Sequence, residues 1–253
     1  MKRSVWNGFV RIRDRYRITH DKLGEDLPNL RSLEQALVNN RPGLPYKVKN
    51  HVVYNQALDE ISADSDIKLI LVADNPGRHE QESCRYLVGN SGKLAEGFFK
   101  KHPYLGIDFR KNVLILNKTP IHTPRTAGLG ELRRLGGETF CKVFDFSQKI
   151  MAEFLWEFHS ALAPLQVWIT GYSEMKKGGV FETYTSSLKA VYAGQDAARE
   201  SLRKEIFIFR HFSMNQFAID LNRQTAPGET DIDALGRIGS AYRRRILGDD
   251  FEQ

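Results

Sequence analysis

Leu69-Ile-Leu-Val-Ala-Asp-Asn-Pro-Gly77 is the stretch that decides the fold. An apolar run of this length, closed by turn formers, reads as a buried strand. Pro76 and Gly77 force a sharp exit, and the residue before a proline is held extended. Asp74 and Asn75 are therefore expected at the carboxyl end of a central strand. Open α/β sheets collect their ligands at that edge. A capped strand-to-loop turn with no chemistry has the same signature, so the stretch alone speaks for fold and not for function.

Moving outward, four apolar runs follow one another at α/β spacing, over residues 67–73, 112–116, 166–170 and 205–210. Helical patterns separate them over 91–101, 140–163 and 194–204. Such alternation predicts an α/β fold with a parallel sheet and right-handed crossovers. The pattern over 140–163 is strongly amphipathic, and its Val143, Phe144, Ile150, Phe154, Leu155 and Phe158 read as core. Gly178-Gly179, beside Lys176-Lys177, marks a loop or a hairpin.

Residues 1–65 read as a helical preface. Val10, Ile12, Tyr16 and Ile18 are mixed with six basic residues between Lys2 and Arg17. That basic helix has either a solvated face or one that touches DNA. Pro28 opens a segment whose Leu30, Leu33, Leu37 and Val38 fit helical spacing. Asn39-Asn40-Arg41-Pro42-Gly43 is a break, and residues 52–61 read as a short amphipathic helix. The stretch after residue 220 is a polar tail that carries Arg243-Arg244-Arg245 and is either loose or helical.

Composition narrows the class. With 253 residues, the chain is long enough to bury about three-quarters of its unfolded surface. Its 41% hydrophobic and 27% charged residues are ordinary for a soluble globular protein. The net charge of +6 favours an anionic partner such as nucleic acid, though weakly. Two cysteines, Cys84 and Cys141, are too few for a disulfide scaffold or a four-cysteine cluster. No apolar run approaches the ~18 residues of a membrane span, and no signal-peptide pattern opens the chain, so the expectation is a cytoplasmic protein.

Three polar groups stand at matching strand ends: Asp74-Asn75, Asn117, and His211 followed by Phe212 and Ser213. In a parallel sheet these ends share one edge, so the groups are expected to meet in one pocket. Other chemistries fit less well. Gly89-Asn-Ser-Gly92-Lys93 resembles a phosphate loop, but Leu87 and Leu94 stand where that motif needs Gly and Ser or Thr. No H-x-x-x-H or C-x-x-C pair supports a zinc site, and no metal is expected. Ser173 and Ser213 lack a nucleophile-elbow context.

These residues resemble the uracil-DNA glycosylase superfamily. Ala73-Asp-Asn-Pro-Gly77 is similar to its first motif, G-E-[GA]-P-G in the iron–sulfur branch and G-[MI]-N-P-G in the single-strand-selective and mismatch-specific branches. After ten residues, Val88-Gly89-Asn-Ser-Gly92-Lys-Leu94 resembles F-V-G-x-A-G-x-L. Val113-Leu-Ile-Leu-Asn117-Lys-Thr-Pro120 looks like the second-strand segment whose Asn reads the base. Val167-Trp-Ile-Thr-Gly171 is similar to the family's buried strand ending in Gly, and Arg210-His211-Phe212-Ser213 stands where the family has H-P-S. The resemblance covers about residues 66–220. It departs at Ala73 for Gly, at Leu87 for the aromatic that stacks on the flipped base, and at Phe212 for Pro. The cluster cysteines are missing, so no iron–sulfur cluster and no other cofactor are expected.

The resemblance implies a three-layer α/β/α domain with a central four-stranded parallel sheet. It implies a DNA glycosylase that removes uracil or another deaminated base in base excision repair, acting as a monomer on a base flipped out of the stack. Asn75 aligns with a water-positioning residue, Asp74 with the alternative base, and His211 with the donor to a base oxygen. Asn117 would read the uracil edge, and Leu87 would lie against the base. Pro76, Gly77, Gly89, Ser91 and Ser213 fall in the substrate-binding motifs, with phosphate contacts expected from the amides near Gly77 and Ser91 and from the Ser213 hydroxyl. Met214 is either an apolar wedge for the vacated stack or a core residue. A non-catalytic nucleic-acid- or nucleotide-binding protein of the same fold is the alternative, and a hydrolase of free nucleosides or nucleotides is a third.

Overall fold

A computed structural model describes residues 1–40, 45–194 and 197–252. Two helices, α1 (Arg3–Glu25) and α2 (Leu30–Asn39), precede the sheet. Then come β1 (Leu69–Ala73), α3 (Arg78–Ser83), α4 (Asn90–Lys101) and β2 (Val113–Asn117). The long pair α5 (Ala127–Leu135) and α6 (Gly137–Leu162) leads to β3 (Gln166–Thr170). The chain continues through α7 (Glu182–Tyr192), α8 (Ala197–Lys204), β4 (Ile206–Phe209), α9 (Gln216–Gln224) and α10 (Asp231–Leu247).

The four strands are all parallel, in the order β2-β1-β3-β4. From β1 the chain runs outward to β2; from β3 it runs the other way to β4. The carboxyl edge between β1 and β3 is thus the point where the winding reverses, the place where such sheets form a crevice. Register aligns the strand ends: Ala73 lies beside Asn117, Val72 beside Ile169, and Thr170 beside Phe209.

Every residue of β1 and β2 is buried, which requires cover on both faces of the sheet and explains the unbroken apolar runs. On one face, Phe98 and Phe99 of α4 and Phe217 of α9 pack against Trp168 of β3. The same face takes α10, where Gly239 lies so close to Phe207 that a Cβ there would be 2.7 Å from the Phe207 Cβ. A separate layer stacks α1 on α6 through Tyr16, Phe154 and Phe158, and α6 packs on α7. The arrangement fits three layers, α/β/α.

Several expectations change. Residues 52–61 do not form one helix. Val52 makes an antiparallel bridge to Ile121 and the Val53 amide donates to the Pro120 carbonyl, so this piece is extended. Only Gln56–Glu60 coil, as a 3₁₀ turn capped by Asn55, whose side chain also donates to the Ile115 carbonyl. The loop or hairpin around Gly178-Gly179 gives way at once to α7, whose Ser, Thr and Tyr content hides a helix held by buried Tyr184, Leu188 and Tyr192. For the polar tail the helical alternative holds: α10 packs with Ala234, Leu235, Ile238 and Tyr242 buried. The break at Asn39-Gly43 lies, from Arg41 on, outside the described residues, as do the first turns of the 194–204 segment at 195–196.

Among the described residues no helix is long and apolar enough to cross a membrane, and no group of His, Cys, Asp and Glu is placed to hold a metal ion.

Candidate active site

A cleft of about 670 Å³ opens at the carboxyl edge of the sheet. Asp74, Asn75, Gly77, Leu87, Gly89, Ser91, His211, Ser213 and Met214 all line it. Pro76 and Asn117 do not. The Pro76 carbonyl is turned inward, where it accepts from the Thr123 amide and from His122 Nδ1. Asn117 is the last residue of β2, 2% exposed, behind Ala73. Its Nδ2 has no hydrogen-bond partner, an uncommon state for a buried amide that costs about 1–3 kcal/mol.

Asp74 is tied down on all sides. Its Oδ1 accepts from Lys118 Nζ at 2.6 Å, and its Oδ2 accepts from the Thr126 hydroxyl at 3.3 Å. Lys118 is fully buried, donates also to the Thr170 carbonyl, and lies 4.9 Å from the centre of the Phe181 ring. Burial pushes the Asp74 carboxyl up, but the Lys118 ammonium above all, and the Thr126 hydroxyl, outweigh it and hold the group below the ordinary carboxylate value. Burial lowers the Lys118 ammonium, with Asp74 opposing. Gly171, at φ +89°, closes the pocket behind this pair; a Cβ there would be 2.1 Å from Asp74 Oδ1. That explains why β3 ends in glycine.

Asn75 is oriented by its neighbours. Its Nδ2 donates to the Thr123 hydroxyl at 2.9 Å and lies 3.4 Å from the Ile121 carbonyl. Thr123 in turn donates to the Arg125 carbonyl. The amide is thus fixed with its nitrogen engaged, and Oδ1 remains as a free acceptor among the described residues.

His211 has an assignable tautomer. The Ser213 amide donates to Nδ1 at 3.0 Å, so Nδ1 carries no proton and the neutral ring bears it on Nε2. Burial lowers the imidazole below its ordinary value, Asp74 opposes this, and Lys118 adds to it. His211 is therefore a neutral donor at physiological pH. The loop that carries it is anchored by Phe212, which stacks on Phe217 with centroids 4.4 Å apart. Beyond the anchor, Met214 and Asn215 take left-handed φ values of 54° and 57°, and Met214 is 82% exposed at the mouth of the cleft.

Leu87 forms part of the wall in a left-handed conformation, φ 51°, a state that costs a non-glycine residue about 1–3 kcal/mol. Three features hold it there. Its amide donates to Glu80 Oε1 at 2.7 Å, its carbonyl accepts from the Arg110 guanidinium at 2.9 Å, and Gly92 leaves room for that carbonyl. A Cβ on Gly92 would fall 1.5 Å from the Leu87 oxygen.

Sequence reading missed Lys118, Thr123, Thr126 and Glu80 as members of this site. The Gly77-x-x-Glu80 spacing of a capping box was a legible signal for Glu80. Nothing in the sequence pairs Lys118 with Asp74 across 44 positions of chain. Arg78, His79 and Arg125 add basic groups to the same wall, beside the amino end of α4 at Gly89, Asn90 and Ser91. Anions are favoured at such an end. No protein-family model matches the chain, and no curated protein matches its sequence.

Proposed function

We propose that the chain is a DNA glycosylase with a uracil-DNA-glycosylase-like fold, acting on uracil or another deaminated base. The observation that carries this reading is the meeting of Asn75 and His211 in one cleft at the switch point of the sheet, each with a fixed hydrogen-bonding sense. Asn75 offers an acceptor that can orient water, and His211 offers a neutral N–H that can meet a base oxygen.

Hydrolysis of an N-glycosidic bond adds water across it. The hydroxyl goes to the sugar carbon, the bonding electron pair leaves with the base, and the water's remaining proton ends on the released base anion by way of solvent. In this cleft the water would donate one O–H to Asn75 Oδ1, leaving its oxygen lone pairs free for the sugar carbon, and the departing base's charge would be met by His211 Nε2–H. An amide cannot take up the water's proton, so such a site depends on a base that leaves readily. Asp74 is ill suited to be the base: both its oxygens are engaged, and Lys118 holds it ionised and neutralised. Arg78, His79, Arg125 and the amino end of α4 suit a phosphate backbone.

One observation favours the second reading, a non-catalytic nucleic-acid- or nucleotide-binding protein. Asn117, the expected base reader, does not line the cleft. The deciding experiment is incubation with single- and double-stranded oligonucleotides containing uracil, hypoxanthine or xanthine, beside an Asn75→Ala control. Abasic product that disappears in the control supports a glycosylase. No product, with salt-sensitive binding unchanged by Asn75→Ala, supports the binding module.

A further inference from the structure

We propose that Glu80 is a positioning residue that joins the two walls of the cleft, and that the cleft binds its base only while this carboxylate is charged. The second half of this rests on the base-binding reading above; the first half does not. The two oxygens of one side chain divide their work. Glu80 Oε2 accepts from the Gly77 amide at 2.5 Å, and Oε1 accepts from the Leu87 amide at 2.7 Å. Gly77 closes the turn that carries Asn75. Leu87 is the opposite, apolar wall. One carboxylate therefore sets the gap between the water-orienting amide and the surface on which a base would lie.

The clamp is more than an ordinary helix cap. α3 spans only six residues, and a second tie to it comes from Gln81, whose Oε1 receives the Lys49 and Asn50 amides. Glu80 is 7% exposed and lines the cleft, so its charge is carried at the ligand's border. Leu87 is in a conformation that a leucine leaves unless held, and among the described residues the Glu80 bond and the Arg110 bond restrain its backbone. Hydrogen bonds to an ionised acceptor are about twice as strong as those to a neutral one. Removing the charge therefore loosens Leu87 first.

The groups facing Glu80 set where that happens. Burial raises its carboxyl to about 7, against the Gly77 and Leu87 amides and the Arg110 guanidinium, which lower it. Tyr86 lies near enough to feel its charge, and Arg78 and His79 are on its own helix. The switch therefore falls in the physiological range. Exposed imidazoles in general gain charge as pH falls and so favour an anionic polymer, and the expected trend from Glu80 has the opposite sign.

The test uses the full chain and two readouts. First, backbone amide proton shifts of Leu87 and Gly77 are followed by NMR from pH 5.5 to 8.5. They are expected to titrate together with a midpoint near 7 in the wild type and to stay flat in Glu80→Gln. Second, affinity for a single-stranded oligonucleotide carrying 2′-fluoro-2′-deoxyuridine, which resists cleavage, is measured across the same range. It is expected to tighten five- to tenfold from pH 6 to 8 in the wild type and to be weak and pH-independent in Glu80→Gln. Amides that do not titrate in the wild type overturn the proposal, and this needs no variant to fold. So does a Glu80→Gln variant that keeps the wild-type pH profile of binding. Titrating amides with no oligonucleotide affinity at any pH would leave the clamp standing and overturn both its ligand-gating role and the base-binding reading.

Discussion

Replacing Lys118 by Met removes the cation paired with Asp74 beneath the cleft and leaves the carboxylate, among the described residues, with no salt bridge at a site where Lys118 has no exposure. Breaking a buried pair from one side costs about 3–5 kcal/mol, because the remaining charge stays desolvated. Asp74→Asn strands the ammonium and is expected to cost a similar amount. The double variant Asp74→Asn/Lys118→Met removes both charges and leaves the Ala73 and Thr170 carbonyls without the ammonium, for which about 1–3 kcal/mol is expected. Summed single losses of about 6–10 kcal/mol against a double loss of about 1–3 would give a large coupling between the two positions. Since a domain holds only about 5–15 kcal/mol in total, both single variants should stand near the edge of unfolding. Urea unfolding followed by circular dichroism reads this directly: each single variant should lose about 1–2 M in midpoint and the double variant far less. Additive losses would refute the pair as a unit. The same double variant tests chemistry, because a glycosylase whose water is oriented by Asn75 keeps cleaving without the Asp74 charge, whereas one that uses Asp74 as its base stops.

Gly171→Ala places a Cβ 2.1 Å from Asp74 Oδ1 at a φ of +89°, so several kcal/mol of stability should be lost, about 2–4 °C in Tm for each kcal/mol, as calorimetry would register. Asn75→Ala should leave Tm nearly unchanged, since Thr123 keeps its bond to the Arg125 carbonyl, while any base-excision rate measured in a single turnover falls about 10²–10⁴-fold. His211 should contribute no pH dependence to that rate between pH 6.5 and 8. Its folded value is depressed, so protonation, which would break the Ser213 amide bond, begins only below the ordinary range; an acid limb with a midpoint at or above 6.5 would contradict this. For stability the Glu80 sign is the reverse of the usual carboxylate. Its raised value means the folded state holds the proton more tightly, so its contribution is present below pH 4.5 and is lost as pH rises to about 7. Glu80→Gln should therefore flatten that part of the stability profile.

Much of the architecture was legible in local pattern. The four apolar runs became the four strands with no end shifted by more than two residues, because strands buried on both faces must be continuously apolar. Polar residues at their carboxyl ends followed from the turn formers next to them. What failed locally failed for tertiary reasons. Residues 52–61 carry helical spacing but are drawn out by pairing with 120–121, and α7 carries poor helix formers but is held by three buried side chains.

The sequence by itself determined that Asp74-Asn75 and His211 would share an edge, since a parallel sheet leaves no other arrangement for those strand ends. Tertiary structure alone decided what each group is able to do there. Lys118 reaches Asp74 from the neighbouring strand and occupies it, Ser213 selects the tautomer of His211, and Glu80 joins Gly77 to Leu87. Asn117, at an equivalent strand end, is buried and does not line the cleft. Spacing along a chain fixes which residues arrive at an edge, but protonation and hydrogen-bonding sense depend on desolvation and on partners brought from distant positions, and these exist only once the core has closed.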